Sequence, residues 1–214
     1  SKEYHTDDNP TMSDAEYDLL YHELVEIEKS IGAEPNSPTQ RVGDAVANLF
    51  TIIPHKVPML SLDNVFSVEE LEAWKAKTGA PEFVPQLKLD GLALELVYVD
   101  GILTSASTRG DGFKGEDVTA NAMMIANIPK TIPTKGTHVV LGEVVMSRKA
   151  LRDYNAWADT PLVNCRNGAA GAMRSSKPET VAVRKLEFYA YEYIVAEGAK
   201  ITESFTERMR FLET

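Results

Sequence analysis

The chain has 214 residues, of which 43% are hydrophobic, and a formal net charge of −10. This suits one domain, or a domain with a small appendage, built around a real core, and it argues against a surface coated for nucleic acid. The charge is unevenly placed: residues 1–80 carry six basic and fifteen acidic residues, whereas residues 141–190 carry eight basic and five acidic, a local excess of +3 that could meet phosphates.

In chain order, Ser13-Asp14-Ala15-Glu16 reads as a capping box that opens a helix. Tyr17, Leu20, Leu24, Ile27 and Ile31 form one apolar stripe along it, and Gly32 supplies the stop. Pro35-Asn36-Ser37-Pro38 reads as loop, and a Pro-punctuated linker runs from His55 to Asn64, with a domain boundary placed near residue 58. A second capping box, Ser67-Val68-Glu69-Glu70, opens a helix that carries Leu71 and Trp74 and ends at Gly79.

From Phe83 the period changes to two. Read as a strand, Gln86-Leu87-Lys88-Leu89-Asp90-Gly91 points Gln86, Lys88 and Asp90 to one face. A lysine with a carboxylate two residues on, and a glycine that lets a ligand approach the backbone, suits an activated nucleophile. An edge-strand lysine paired for solubility gives the same pattern. Residues 92–99, Asp100-Gly101 and residues 102–107 then read as strand, tight turn and strand, so the sheet is at least partly antiparallel.

Gly110-Asp111-Gly112-Phe113-Lys114-Gly115 matches G-x-G-x-x-G, but the strand before it is the return arm of a hairpin, not the first strand of a parallel βαβ unit. A flexible loop is expected there instead of a dinucleotide fingerprint. Glu116-Asp117 favours a helix start, running through Ala122 and Ile125 and stopping before Pro129. Residues 139–145 read as a short buried strand interrupted by Gly142-Glu143. A carboxylate there is expensive unless it finds a partner, whether water at a sheet edge or a ligand.

Ser147 caps a helix through Leu151 and Trp157. The small-residue stretch from Asn164 to Arg174, with Arg166 and Arg174 in it, either packs a helix closely on the sheet or lays its backbone against a phosphate-bearing ligand. Residues 186–193 form an aromatic strand, from which one ring could stack on a base. A single Cys165 excludes an internal disulfide framework, and His5, His22, His55 and His138 are too scattered for a zinc site. No apolar run approaches the roughly 20 residues of a membrane span, and the first residues lack the core of a signal peptide, so a reducing cytoplasm is the expected location and no membrane partner is expected.

The order of these motifs is more specific than any one of them. Lys88-Leu89-Asp90-Gly91, Thr108-Arg109-Gly110-Asp111-Gly112, Gly115-Glu116-Asp117, Gly142-Glu143 and Arg166-Asn167 with Ala169-Ala170-Gly171 and Arg174 closely resemble the adenylation domain of NAD-dependent, bacterial-type DNA ligases. Tyr4-His5, Asp14-Ala15-Glu16-Tyr17-Asp18, the run from Ser37 to Gly43 and Pro58-Met59-Leu60-Ser61-Leu62-Asp63-Asn64 resemble that family's small Ia domain and its junction.

The resemblance implies an α+β fold. A small helical N-terminal domain over residues 1–57 would precede a mixed, largely antiparallel nucleotidyltransferase domain of the ATP-grasp-like ligase type over 58–214, truncated at its C-terminus. It also implies roles. Lys88 would attack the α-phosphorus of NAD, release nicotinamide mononucleotide and hold AMP for transfer to a 5′-phosphate at a DNA nick. Arg109, Glu143 and Asp90 would surround ribose and phosphate, with Mg²⁺ offsetting charge. Tyr191 would stack on adenine, Ser61 and Leu62 would contact adenosine, and Gln86, where the family usually has Glu, would meet the adenine amino group. Tyr4, His5, Asp14, Tyr17 and Asp18 would form the nicotinamide-mononucleotide surface, and Arg166 and Arg174 would approach the reaction centre or the nick. Nicked duplex DNA and the remaining ligase modules, in cis or as a second chain, are the partners implied. A subunit that binds NAD without completing the chemistry is the alternative.

Overall fold

A computed structural model describes residues 14–32, 50–197 and 204–212. Helix α1, Asp14–Ile31, ends at Gly32, whose φ of 87° terminates it while its amide still reaches the Glu28 carbonyl. Ser13, the expected cap, lies outside the described residues. The stripe expected to be buried is surface at Leu20 and Ile27.

Helix α2, Val68–Thr78, keeps both expected ends. Ser67 Oγ accepts from the Glu70 amide, Glu70 reaches back to the amide of Phe66, and Gly79 closes the helix at φ 63°. The reciprocal bond therefore skips Ser67 and falls one residue earlier than a standard capping box.

The centre is a four-stranded sheet in the order β3-β2-β5-β6, antiparallel throughout, made of β2 (Leu92–Val99), β3 (Ile102–Thr108), β5 (Thr137–Val145) and β6 (Glu187–Glu197). The β2–β3 turn is the expected one, since Asp100 and Gly101 both take positive φ, 51° and 86°. A separate two-stranded ladder joins β1, Ile52–Pro54, to β4, Lys114–Glu116.

Alternation sorts the sheet into two faces. Leu94, Leu96, Tyr98, Ala106, Val140, Val144, Phe188 and Tyr193 face a core that includes Ala169, Ala172 and Met173 of α5 (Cys165–Met173) and Val181 of α6 (Glu179–Val183). On the opposite face Val97, Val139 and Leu141 gather with Met59, and Val57, Ala93 and Tyr191 pack at their edge. Glu95 and Glu143 belong to this second face, because Glu95 pairs with Leu141 and Glu143 with Ala93.

Five local expectations are corrected. Residues 85–90 are irregular, not a strand: the β2 ladders begin only at Leu92, so the Leu-x-Leu alternation has no partner, and Leu87 is 87% exposed. The glycine stretch is a tight turn, not a flexible loop. Asp111 Oδ1 accepts the amides of Phe113 and Lys114, Gly110 and Gly112 take positive φ, and the chain re-enters β4.

Glu116 consequently sits in β4, and the helix after it, α3, is only Thr119–Ala122, with Asp117 Oδ1 taking the Thr119 amide at its start. Strand β5 runs unbroken through Gly142-Glu143. Helix α4, Arg148–Asn155, is capped by Ser147 as expected but stops before Trp157. The last helix, α7, covers Phe205–Phe211. Among the described residues, no helix is long and apolar enough to cross a membrane.

Candidate nucleotide-binding site

The second face of the sheet is where the expected site residues meet. Gly91 is buried above β5 so closely that a β-carbon on it would lie 2.0 Å from the Val144 carbonyl oxygen, so only glycine lets the preceding segment arrive at this height. Its amide donates to Glu143 Oε1 at 3.1 Å, which anchors the Lys88-Leu89-Asp90 segment over the strand. Burial raises the Glu143 pKa above the ordinary glutamate value. The nearby Lys88 ammonium, the Gly91 amide and Arg166 pull the other way without cancelling it, and Asp90 adds to the rise.

Arg109 leaves the end of β3 and turns toward the segment after β1. Its Nε donates to the Met59 carbonyl at 3.1 Å and its Nη2 to Ser61 Oγ at 2.6 Å. Burial lowers its pKa, while Tyr191 and Glu143 favour the cation. Ser61, Arg109, Glu143 and Tyr191 are thus electrostatic neighbours although they come from four parts of the chain.

Tyr191 reaches this face because β6 has an irregularity there: Gly142 pairs with Ala190 and Leu141 with Glu192, leaving Tyr191 as the extra residue. Burial pushes its hydroxyl up to about 12, with Glu143 adding to the rise. Gln86 Nε2 lies 3.5 Å from the Tyr191 backbone carbonyl, which brings the carboxamide to the edge of β6.

Helix α5 closes one side. Asn164 Oδ1 accepts the Asn167 amide as N-cap, and Gly168 sits close against Met146, the residue after β5, since a β-carbon there would lie 2.6 Å from Met146 Sδ. The close-packing reading of this stretch holds, since Ala169, Ala172 and Met173 lie in the core. Arg166 meets a carboxylate of the protein, donating to Asp90 Oδ1 at 3.1 Å. Arg174, at the far end of the helix, pairs instead with the buried Glu116 of β4 at 3.2 Å.

The structure brings Lys88, Asp90, Arg109, Glu143, Tyr191, Gln86, Ser61 and Arg166 together. Leu62 is beside them in sequence but 77% exposed. Tyr4 and His5 lie outside the described residues, as do the side chains of Asp14, Tyr17 and Asp18, although α1 carries the last three on its first two turns.

One feature has no counterpart in the sequence reading. Glu95, 1% exposed, accepts from His55 Nδ1 at 3.3 Å and from the amides of Lys56 and Val57. His55 Nε2 meets the Arg109 carbonyl at 2.9 Å, and Ser107 Oγ lies 3.2 Å from Nδ1. The signal was the same as for Glu143, a carboxylate inside an apolar run that must have a partner.

Residues 47–214 match the NAD-dependent DNA ligase adenylation domain, and residues 1–43 match the DNA ligase-like, N-terminal NAD+-binding domain. A protein of Lacticaseibacillus casei named DNA ligase is 41% identical over 211 residues, covering 94% of this chain and 31% of that protein. A DNA ligase of a Synechococcus strain is 40% identical, covering 91% of the chain and 32% of the relative, and one of Macrococcus caseolyticus is 43% identical, covering 88% and 30%. The chain thus spans about 31% of the length of such relatives. With a lysine, two carboxylates, an arginine and an aromatic ring converging on one sheet face inside the matched region, the chain belongs to the NAD-dependent DNA ligase adenylation family.

Proposed function

We propose that this chain takes AMP from NAD onto Lys88, as the nucleotide-loading part of a DNA ligase. The observation that most supports this is the convergence of Asp90, Arg109, Glu143 and Arg166 on the Lys88 segment, a set of charges suited to a ribose and a phosphate. The Lys88 Nζ lone pair attacks the α-phosphorus, a P–N bond forms, and the bond from that phosphorus to the bridging oxygen breaks. Nicotinamide mononucleotide leaves with the electron pair and the amine proton passes to solvent.

Only the neutral amine is nucleophilic. Arg109, held by Met59 and Ser61, stabilises charge that develops on the phosphoryl oxygens. Asp90 and Glu143 hold the ribose, and Tyr191 stacks on adenine with Gln86 at the amino group. Among the described residues no group of three or more His, Cys, Asp or Glu gathers to hold a metal ion. Mg²⁺ fits here as a guest of the nucleotide phosphates with at most one or two carboxylates, Asp90 and Glu143, and it would supply charge neutralisation.

The same proposal gives Tyr4, His5, Asp14, Tyr17, Asp18 and Leu62 their expected contacts with the departing mononucleotide and with adenosine. It divides the chain into a helical part over 1–57 and an ATP-grasp-like adenylation part over 58–214, with β1 and His55 crossing between them. Nicked DNA, met by Arg166 and Arg174, and the rest of the ligase, in a cytoplasmic setting, complete it.

Mass spectrometry after incubation with NAD and Mg²⁺ tests the reaction. A covalent AMP on Lys88, absent from Lys88→Ala, is the expected result. NAD binding with no adduct would leave a binding subunit, and an adduct on Lys88→Ala would move the nucleophile elsewhere.

A further inference from the structure

Behind Arg109 lies a buried polar cluster that the proposed reaction does not itself use. The side chains of His55 and Glu95 are 1% and 2% exposed. The cluster is not a hydrolytic triad, because Ser107 and Glu95 both face Nδ1, while Nε2, which a general base would aim at the serine, is committed to the Arg109 carbonyl. A carbonyl and a carboxylate only accept, so each ring nitrogen meets an acceptor and both are best satisfied as N–H.

We propose that doubly protonated His55 is a positioning residue for Arg109. By donating at once to Glu95 and to the Arg109 carbonyl, it locks the end of β3 to the segment whose Met59 carbonyl and Ser61 hydroxyl receive the guanidinium. This rests on the adenylation reaction proposed above and adds a control of its phosphate-facing arginine.

The surroundings favour the charged ring. Glu95 faces it from β2, Ser107 from β3, Arg109 from the end of that strand and Asp111 from the turn that follows, with Lys56 next to it in sequence. Strand β4 presents only backbone at Gly115, where a β-carbon would lie 3.1 Å from His55 Cε1 and 1.6 Å from the Thr108 carbonyl oxygen. Burial opposes the charge, but the bonds to Glu95 and the Arg109 carbonyl and the fields of Glu95 and Asp111 outweigh it, so the His55 pKa is raised above 6.5. Losing the proton turns one nitrogen lone pair toward an acceptor oxygen. The ring must then move, and the aim of Arg109 moves with it.

The test uses this chain and two readouts. The first is NMR of the His55 ring and the Arg109 Nε–H across the imidazole transition, which requires no catalysis. The second is single-turnover AMP loading over the same pH range. The expected result is one shared transition for the two resonances, with a step in loading at the same pH, and loss of both in Glu95→Gln. His55→Phe should lower the maximal single-turnover loading rate by on the order of tenfold to a hundredfold while the NAD concentration that gives half of it changes little, the pattern of a displaced group rather than a lost contact.

An Arg109 resonance indifferent to His55 titration, or a step that persists in Glu95→Gln, would overturn the proposal. If His55→Phe fails to fold, the titration of the unsubstituted chain still decides. Absence of any AMP adduct in the unsubstituted chain, with the two resonances still coupled, would count against the adenylation reading and not against the link between His55 and Arg109.

Discussion

The amide of Gly91 donates to Glu143 Oε1 at 3.1 Å, and this bond sets where the lysine segment stands over the sheet. Residues 85–90 have no ladder of their own, so their height over β5 depends on Gly91, pressed against the Val144 carbonyl, and on Glu143, held in place by its own strand. Glu143 therefore has two tasks, to anchor the backbone and to present charge to a ligand. The second conflicts with its partial burial.

Glu143→Gln separates those tasks. The carboxamide keeps an oxygen for the Gly91 amide but loses the charge, so AMP loading should fall by about a hundredfold while the fold persists. The sign of the stability effect follows from the raised pKa. A carboxyl whose folded pKa lies above its ordinary 4.5 favours the folded state below that value, and the advantage is lost as pH rises through the folded pKa. Glu143→Gln should thus flatten the stability profile above 4.5 and leave thermal stability at neutral pH equal or higher. A clear loss of stability at neutral pH would show that the ionised carboxylate holds the structure together.

His55 gives a second pH window with the same sign. Its folded pKa is raised above 6.5, so its stabilisation is complete below 6.5 and is lost as pH rises through the folded value. Chemical denaturation of the chain should show stability declining over that range, and His55→Gln should remove the slope. An unchanged slope would place the titrating group elsewhere.

Gly142→Ala tests the joint between β5 and β6. A β-carbon at Gly142 would lie 2.3 Å from Phe188 Cζ and 2.5 Å from the Tyr189 carbonyl oxygen. The ring can turn, but the carbonyl belongs to the β5–β6 ladder, so a destabilisation of about 1–3 kcal/mol is expected from urea unfolding. A change under about 0.5 kcal/mol would mean that the ladder yields freely.

The parts of this fold that were legible in the sequence are those set by neighbouring residues. Asp100-Gly101 specified its own turn, Ser67 and Ser147 their caps, and Gly32 and Gly79 their helix ends. The order of the motifs singled out residues that the fold brings near one another, Asp90, Arg109, Glu143 and Tyr191 among them, even though residues 86–90 are irregular and not the expected strand. What escaped depends on distant partners. The alternation of Leu87 and Leu89 would have become a strand only with a neighbour to pair with, and β1 and β4 are three residues each, too short for a period to show. The bulge that turns Tyr191 toward Arg109 leaves no mark in residues 187–193 read alone. His55 and Glu95, 40 residues apart, could not be paired from spacing, although the cost of an unpartnered Glu95 in an apolar strand required some partner.

The last prediction concerns nick sealing, which requires a grip on duplex DNA that comes mostly from basic contacts to phosphates. Here the net charge is −10. The basic excess of residues 141–190 is small, Arg166 is bonded to Asp90, and Arg174 is paired with the buried Glu116. Each arginine would have to exchange a protein partner for a phosphate, so DNA binding by these 214 residues should be weak and should fall steeply with salt. The chain is therefore expected to seal nicks only when further ligase modules that grip DNA are supplied, in cis or as a second polypeptide. A gel assay on a nicked duplex with NAD and Mg²⁺ measures this directly. Efficient sealing by this chain alone would mean that Arg166 and Arg174 release their carboxylates readily and that the local basic patch grips DNA despite the acidity of the whole.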